Sequence, residues 1–459
     1  MVELVREHRP QSLGFWSLTA IVVANMIGAG VYTTSGFTLS DLGSRDAVML
    51  AWVVGGAIAF CGAVSYALLV GELTANGGEY LYLSRWIGPL AGFLAGWSSY
   101  VAGFTAAGAY AALAFERYAA PLISVPAGFP SNTLAIALVF VATLSHGISS
   151  RGGTLGQNVV VAVKLSLIIG FIVLSLSRLH QWPGLQVPDE TSSMPNWTLF
   201  QFANATLWIS LSYAGFNGSI YIAGEAGGGR RSIAASMIVG TAVTTVIYLL
   251  LNYVFVYAAL PGEVAGAAQV ASVAAVAVGG EQLGSFVRLI ICLGLASSVL
   301  SLVQIGPRVY AQMAADGLLP TWFSSDKPPP RRAILFQAAS IIFVIQLSHL
   351  QSLLSFVSLT LAFSSTAAVV AFLAIRVLRL TGRVSAKRAE SDPVSCSHSA
   401  SEVAQLIFPL AYVLATASVI GLTTAERPKE TLASLCVIAC GVPLYFAFRR
   451  QLSATHATA

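Results

Sequence analysis

The sequence predicts an all-α integral membrane protein. We expect twelve transmembrane helices, arranged as two inverted five-helix repeats and a final pair, with helices 1 and 6 broken. Composition gives the class, because 56% of the 459 residues are hydrophobic and only 9% are charged, against about 25% charged residues in soluble proteins. Apolar windows of about 20 residues, long enough to cross a bilayer as a helix, recur twelve times along the chain. Glycines interrupt two of these windows near their middle.

The predicted spans leave no room for a soluble domain, so the whole chain, 1–459, is expected to be one transmembrane domain. Residues 1–14 are expected to be a cytoplasmic N-terminus without a cleavable signal, and the polar insert 381–401 a cytoplasmic loop. The spans of the first repeat (15–177) are placed at 15–41, 47–71, 89–115, 132–148 and 155–177. Those of the second repeat (200–376) are placed at 200–225, 232–259, 284–306, 333–349 and 353–376, and helices 11 and 12 (402–448) at 402–422 and 431–448.

Lysine and arginine residues are distributed unevenly between the two sides of these spans. With the N-terminus inside, 17 lie on the cytoplasmic side and five on the outside, at Arg45, Arg117, Arg178, Arg427 and Lys429. Cytoplasmic loops of membrane proteins carry the excess of Lys and Arg, so both termini are expected to be cytoplasmic. The net charge of +5 is assigned to these loops and not to a nucleic-acid-binding surface, since no basic run with interleaved aromatic residues occurs.

The first span contains the sequence IVVANMIGAGVYTTSG, residues 21–36, in which Gly28, Ala29 and Gly30 interrupt the apolar run. Lipid supplies no hydrogen bonds, so a helix break at this depth must line a cavity enclosed by protein. The break exposes N–H groups of the outer half-helix and carbonyls of the inner one, which can hold an anion and a cation. A kink or a close helix crossing is the alternative, because glycines in membrane helices often serve packing.

The sixth span repeats this feature in the sequence TLWISLSYAGFNGSIYIAGE, where Gly215 and Gly218 flank Phe216 and Asn217. It lies five spans after the first break, and an odd repeat length makes the two halves opposite in orientation. Interrupted helices in corresponding positions of two repeats predict the binding site of a secondary transporter. Two coincident packing kinks are the alternative.

Four segments around these breaks resemble the amino acid–polyamine–organocation (APC) superfamily of permeases, which has the LeuT-type fold. The segments are NMIGAGVY (25–32), GELTANGGEYLYLSRWIG (71–88), SYAGFNGSIYIAGE (212–225) and GPRVYAQMAADGLLP (306–320). The resemblance as a whole covers nearly all of residues 14–330. The sequence departs from the family pattern in lacking a proline before Gly77 and in having glycines at 227–229, where Asn-Pro is usual. The resemblance implies an amino acid permease that works by alternating access.

The resemblance also implies a substrate site at the two breaks. The substrate carboxylate is expected at backbone N–H groups of the first break, those of Gly28, Ala29 and Gly30. The α-amine is expected at carbonyls that end the helices before the breaks, those of Met26 or Ile27 and of Leu211 or Ala214. Helix dipoles and unpaired backbone groups make both contacts favourable.

Two side chains near Gly215 bear on which substrate is carried. Asn217 stands where the resemblance places Glu in transporters of cationic substrates, and with Gly215 it is expected to line the pocket and supply a polar contact. Glu225 is seven residues past Gly218, about 10 Å along a helix. A side-chain ammonium is costly to bury without a carboxylate partner, so neutral amino acids are expected. Leu211 stands where many relatives have a large aromatic lid, so the gate or the shape of the pocket is expected to differ there.

Lys164 is the one charge set deep in a span, about 15 Å into the fifth at 1.5 Å per residue. A charge at that depth costs about 2.5–3.5 kcal/mol, so a partner or a neutral state is expected. Relatives with a lysine here use it in place of a sodium ion, which implies proton coupling, with Ser297 and Ser298 as hydroxyl neighbours. The alternatives are a structural lysine capped by carbonyls of the broken first span, and serines that only ease helix packing.

The predicted function is therefore secondary active transport of neutral amino acids, coupled to protons, across the plasma or inner membrane. An amino acid exchanger on the same fold and a non-transporting sensor are the alternatives. A sensor would be expected to carry a large cytoplasmic extension, and both termini are short. No catalytic constellation, phosphate loop or metal-ligand spacing occurs, so neither an enzyme, a metal nor a cofactor is expected.

The expected partners are the amino acid substrate, the lipid bilayer and protons, and no nucleic acid. The five cysteines are scattered and indicate no disulfide framework. Some exchangers of the superfamily join an accessory subunit through a cysteine in the outer loop between spans 3 and 4. That loop, residues 116–131, contains no cysteine, so no disulfide-linked subunit is expected.

Overall fold

The computed structural model describes residues 14–72, 79–123, 130–148, 153–186, 197–220, 229–323, 330–380 and 399–457. Every regular element within these ranges is helical, which confirms the all-α class. The helices of the N-terminal half are α1 (Phe15–Met26), α2 (Ala29–Leu42), α3 (Arg45–Glu72), α4 (Glu79–Trp86), α5 (Pro89–Ser98), α6 (Ala107–Ala119), α7 (Thr133–Ile148) and α8 (Gly153–Ser177). A π-helical stretch, Ser99–Ala106, joins α5 to α6.

The C-terminal half continues this pattern of long helices joined by short connections. Its helices are α9 (Pro183–Gln186), α10 (Leu199–Tyr213), α11 (Gly229–Tyr257), α12 (Pro261–Val264), α13 (Val270–Ala315), α14 (Arg331–Leu347), α15 (Leu350–Leu380), α16 (Ser399–Glu426) and α17 (Pro428–Ala457). Helix α13 is bent at Gly279 and Gly280, where Gly280 has a φ of 74°. A glycine adopts this left-handed conformation without the steric cost that a side chain would add.

Each predicted span coincides with at least one described helix. The first corresponds to α1 and α2, the third to α5, the π-helical stretch and α6, and the eighth to the part of α13 after its bend. The segment 261–280 forms α12 and the start of α13, and it packs against the middle of α2. There the Gly266 N–H donates to the Gly36 carbonyl at 2.7 Å.

Six described helices are long and apolar enough to cross a membrane, or seven if the bent pair α1 and α2 counts as one span. Other predicted spans fall short because their described helices are short: α7 has 16 residues, α10 has 15 and α14 has 17. The structure therefore agrees with a multi-pass membrane protein. The number twelve and the inverted repeat stay predictions.

The broken helices lie at the centre of the helical assembly. Helix α2 is buried along almost its whole length and packs against α10, α11 and α13, while α10 also packs against α3, α15 and α16. Large hydrophobic side chains are instead exposed on surrounding helices, such as Phe140 on α7, Val173 on α8 and Leu414 on α16. This arrangement fits lipid around the outside and polar backbone kept within protein.

Candidate binding site at two broken helices

The first break lies between Met26, which ends α1, and Ala29, which begins α2. Ile27 (φ −74°, ψ 87°) and Gly28 (φ −123°, ψ −157°) leave the helical conformation, and the two half-helices are bent by 41°. The terminal carbonyls of α1 and the first N–H groups of α2 therefore have no partner within a helix. The break falls at the glycines that predicted it.

The second break begins where α10 ends, at Tyr213. The chain turns through Ala214 into Gly215, whose φ of 103° lies in the region that favours glycine. The Ala214 N–H donates to the Leu211 carbonyl at 3.1 Å, so the turn already uses that carbonyl once. A single 3-10 turn follows, and the predicted continuation of the span through 221–225 lies outside the described residues.

The two breaks contact each other directly, and glycines make this approach possible. A Cβ placed on Gly30 would lie 2.5 Å from Ser212 Oγ and 2.9 Å from Ser212 Cα. On the other side of the contact, a Cβ on Gly215 would lie 3.1 Å from the Asn25 carbonyl oxygen, and one on Gly218 would lie 2.4 Å from Asn25 Nδ2. Any larger residue at these positions would force the breaks apart.

Tyr248 on α11 ties the ends of both helices together. Its buried hydroxyl lies 2.6 Å from the Met26 carbonyl oxygen and 2.9 Å from that of Ser212. These are the carbonyls of the last residue of α1 and of a residue in the last turn of α10. Carbonyls from both breaks thus converge on one point. From the second break, the carbonyl that shares Tyr248 with the first break is that of Ser212. The contact of a substrate ammonium with the carbonyl of Leu211 or Ala214 stays a prediction.

Lys164 on α8 reaches the first break. Its side chain is 5% exposed, and its Nζ donates a hydrogen bond to the Ile27 carbonyl. Its stem lies against α13, since a Cβ on Gly294 would be 3.5 Å from Lys164 Cδ. The ammonium therefore joins α8 to the end of α1 beside α13, as both the coupling and the structural interpretations of this lysine require.

Ser297 and Ser298 lie on α13 next to this contact, but their hydroxyls bond within their own helix. Both donate to the Gly294 carbonyl, at 2.7 and 3.1 Å. Among the described hydrogen bonds, none joins either serine to Lys164. A hydroxyl on a helix commonly bonds back to the carbonyl three or four residues earlier, which accounts for this orientation.

The remaining predicted residues line the second break. Leu211 is half-buried and packs against the main hydrophobic core, and Asn217 is also half-buried, with its carbonyl accepting the Ile220 N–H at 3.0 Å. The Ser212 hydroxyl is buried with no hydrogen-bond partner among the described residues. It faces Gly30, at the start of α2.

Sequence reasoning missed Asn25, Ser212 and Tyr248, which make the contacts between the breaks. A signal for Tyr248 was present: with Asn252 it forms a polar pair at i and i+4 in the otherwise apolar run YLLLN, and polar groups inside a span are functional by default. In the structure the Asn252 side chain donates to the Tyr248 carbonyl at 2.8 Å and accepts from Ser35 on α2 at 2.5 Å.

Comparison with known proteins agrees with this architecture. The sequence model of the amino acid permease family matches residues 13–425. The mouse large neutral amino acids transporter small subunit 2 is 25% identical over 457 residues, covering 95% of this chain and 80% of that protein. The human Asc-type amino acid transporter 1 is 23% identical over 451 residues, covering 95% of this chain and 82% of that protein. The mouse b(0,+)-type amino acid transporter 1 is 27% identical over 268 residues, covering 57% of this chain and 54% of that protein. The chain therefore belongs to the amino acid permease family of the APC superfamily.

Proposed function

We propose that this chain is a secondary active transporter of amino acids that works by alternating access around the two breaks. The observation that carries this proposal is the direct contact between the breaks. It brings the first N–H groups of α2 together with terminal carbonyls of α1 and α10. An α-amino acid presents an anion and a cation one carbon apart, which is the charge pair that such a site complements.

In this proposal the substrate carboxylate lies at the N–H groups of Gly28, Ala29 and Gly30, and the ammonium lies at the carbonyls of Met26 and Ser212. Each carbonyl oxygen has two lone pairs, so the existing bonds from Tyr248 leave an acceptor site for the substrate. The surrounding scaffold is proposed to be the LeuT-type fold, with twelve spans, a 5+5 inverted repeat and both termini in the cytoplasm of a plasma or inner membrane.

Neutral amino acids are the proposed substrates. The described groups that meet at the breaks include amide, hydroxyl and lysine side chains, from Asn25, Ser212, Tyr248 and Lys164, and no carboxylate among the described residues joins them. A cationic side chain would therefore be buried without a partner, which is costly. Four of the relatives at this level of identity are named for large neutral amino acids, which agrees with this choice.

Proton coupling through Lys164 is the proposed energy source. Its hydrogen bond to the Ile27 carbonyl fastens the end of α1 to α8 while the lysine carries its proton. Loss of the proton removes the charge that strengthens this bond, which would release α1 to move. Ser297 and Ser298 would have to turn from the Gly294 carbonyl to take part.

The test is uptake into proteoliposomes that contain the purified chain, screened across labelled amino acids with and without a pH gradient. We expect saturable uptake of neutral amino acids such as alanine or leucine, increased when the outside is more acidic. Strong uptake of arginine or lysine with none of alanine or leucine would contradict the substrate assignment. Uptake of neutral amino acids at the same rate with and without the pH gradient would contradict the proton coupling but not the substrate assignment.

A further inference from the structure

Glu79 is a buried carboxyl group that the proposed transport cycle does not use. It begins α4, is 9% exposed, and is held by hydroxyl donors from two other helices. Tyr66 on α3 donates to Glu79 Oε1 at 2.5 Å, and Ser364 on α15 donates to Oε2 at 2.7 Å. One carboxyl group therefore joins three helices at a place predicted to lie on the cytoplasmic side.

Among the described residues, the groups bonded to Glu79 are neutral donors and none is a counter-charge. Titratable or charged groups on the helices around it include Cys61 and Tyr66 on α3, Tyr80, Tyr82 and Arg85 on α4, Arg376 and Arg379 on α15 and Tyr412 on α16. None of these arginines forms an ion pair with Glu79 among the described ion pairs. The Tyr412 hydroxyl instead donates to Ser365 at 2.8 Å. Burial is the main cause that raises the pKa of Glu79, and the two hydroxyl donors oppose it in part.

The groups around Glu79 also contact the second break. The Tyr66 ring packs edge-on against Phe216, with the ring centroids 5.3 Å apart. One turn earlier on α3, a Cβ on Gly62 would lie 3.0 Å from Phe216 Cζ and 2.9 Å from Tyr412 Cε2. Phe216 belongs to the second break, because it directly precedes Asn217. The ring of Tyr66, which donates to Glu79, therefore packs against a side chain of that break.

Protonation changes what this carboxyl group can bond. As a carboxylate it accepts both hydroxyls, and as a carboxylic acid it has one O–H that must donate. The hydroxyl that faces the protonated oxygen, that of Tyr66 or of Ser364, then has to turn and accept, because it now meets a donor. Proton uptake by Glu79 thus reverses one of the two hydrogen bonds, and protonation of Oε1 changes the bond made by Tyr66, whose ring packs against Phe216.

We propose that Glu79 is a proton-binding site, separate from Lys164, whose occupancy controls the second break through Tyr66 and Phe216. The proton is its ligand, and the carboxylate accepts hydroxyl hydrogen bonds from α3 and α15. Protonation reverses one of these bonds and favours movement of the break. This inference rests on the proposed transport function for its effect, but the binding of the proton does not depend on transport.

The first experiment measures proton binding directly. Infrared difference spectra of the purified protein between acidic and basic pH are expected to contain a carboxylic acid band that Glu79→Gln removes. The exposed Glu263 serves as the control, and Glu263→Gln should leave the band in place. Tyr66→Phe and Ser364→Ala each remove a donor to the charged form, so each should move the midpoint of the band to higher pH. The proposal would be overturned if Glu79→Gln, Tyr66→Phe and Ser364→Ala all leave the carboxylic acid band and its midpoint unchanged.

The second experiment measures the effect on transport, with equal pH on both sides of the proteoliposome and labelled L-leucine and L-alanine as probes. We expect the apparent KM of the wild type to change about fivefold or more across the titration, the lower end of typical coupling between sites, and to change less in Glu79→Gln, in which Lys164 is the remaining proposed proton site. Phe216→Leu should keep the infrared band but reduce the pH dependence of KM to that of Glu79→Gln. A wild-type pH profile in Glu79→Gln would overturn the proposal.

The two experiments separate this inference from the proposed function. If the wild type takes up neither probe at any pH, the proposed function fails, and the infrared band still decides whether Glu79 binds a proton. If Glu79→Gln cannot be purified, the shifts in Tyr66→Phe and Ser364→Ala decide the same point. Lys164→Ala should leave the band unchanged, because the two sites are separate.

Discussion

Lys164 places one positive charge among three helices, and its only described acceptor is the Ile27 carbonyl. Because α1 has just ended, this carbonyl has lost its helical donor and is free to accept the ammonium. Gly294 has no side chain, so the lysine stem can lie against α13 at 3.5 Å from an ideal Cβ position. The charge of a single side chain thus affects how firmly the end of α1 is attached to α8.

Lys164→Ala is expected to abolish accumulation driven by a pH gradient while binding of substrate persists. A gradient of one pH unit is worth about 1.36 kcal/mol per proton, or tenfold accumulation, and this factor should fall to one in the variant. Lys164→Met is the matched variant, because it keeps most of the buried volume without the charge. Uptake against imposed gradients measures both. If Lys164→Met still accumulates substrate, the side chain at position 164 is needed for its volume and not for proton binding.

Glu79 is expected to make the stability of the protein fall as the pH rises. Burial raises the pKa of Glu79 in the folded protein, so the folded state holds a proton that the unfolded chain releases near its ordinary value of about 4.3. The stabilisation is complete below that value and is lost as the pH rises through the raised pKa. Thermal unfolding in detergent at several pH values measures how stability depends on pH. Glu79→Gln is expected to remove the part of that slope that Glu79 causes. An identical slope in Glu79→Gln and in the wild type would contradict the assignment.

At the scale of the element, the positions of the breaks were predictable from the sequence but their mutual contact was not. A glycine pair inside an apolar run marks where a helix can stop, and Met26, Ala29 and Tyr213 lie at these places in the structure. Which residues meet across the breaks depends on the packing of helices far apart in the sequence. Neither Ser212 against Gly30 nor Tyr248 on both carbonyls has a local pattern that specifies it.

Gly30→Ala is expected to impair the protein more than an alanine at an open helical glycine. The added methyl group would meet Ser212 Oγ and Cα, and overpacking of this kind costs about 1–3 kcal/mol. Gly170 on α8 is the control, because a Cβ there meets nothing within 4 Å, and Gly170→Ala should raise stability by up to about 1 kcal/mol, the difference in helix propensity. Thermal unfolding with and without substrate measures both. Full substrate-induced stabilisation in Gly30→Ala would mean that the breaks need not touch for binding.

At the scale of the whole molecule, composition was sufficient to predict the helical class, and apolar windows were sufficient to locate the helices. The division of those helices was less predictable. The π-helical stretch at 99–106 arises within a run that remains apolar, because hydropathy does not distinguish one helical hydrogen-bond pattern from another. The attachment of the last helix pair was also not predicted: Arg427, between α16 and α17, lies over the Trp208 ring of α10 at 5.0 Å.

The purified chain alone is expected to transport amino acids without a second, disulfide-linked polypeptide. The name of one relative marks it as a small subunit, so an assembly is the competing expectation. A covalent partner needs an accessible cysteine outside the membrane, and the outer loop at 116–131 has none. Among the described cysteines, Cys61 and Cys292 lie within α3 and α13, and Cys436 and Cys440 lie within the apolar part of α17.

The gel mobility of the protein in membranes from the native host should therefore be the same with and without reductant. Proteoliposomes of the single chain should take up substrate at a rate that co-purifying proteins do not increase. Transport that appears only when a second polypeptide is restored would contradict this expectation.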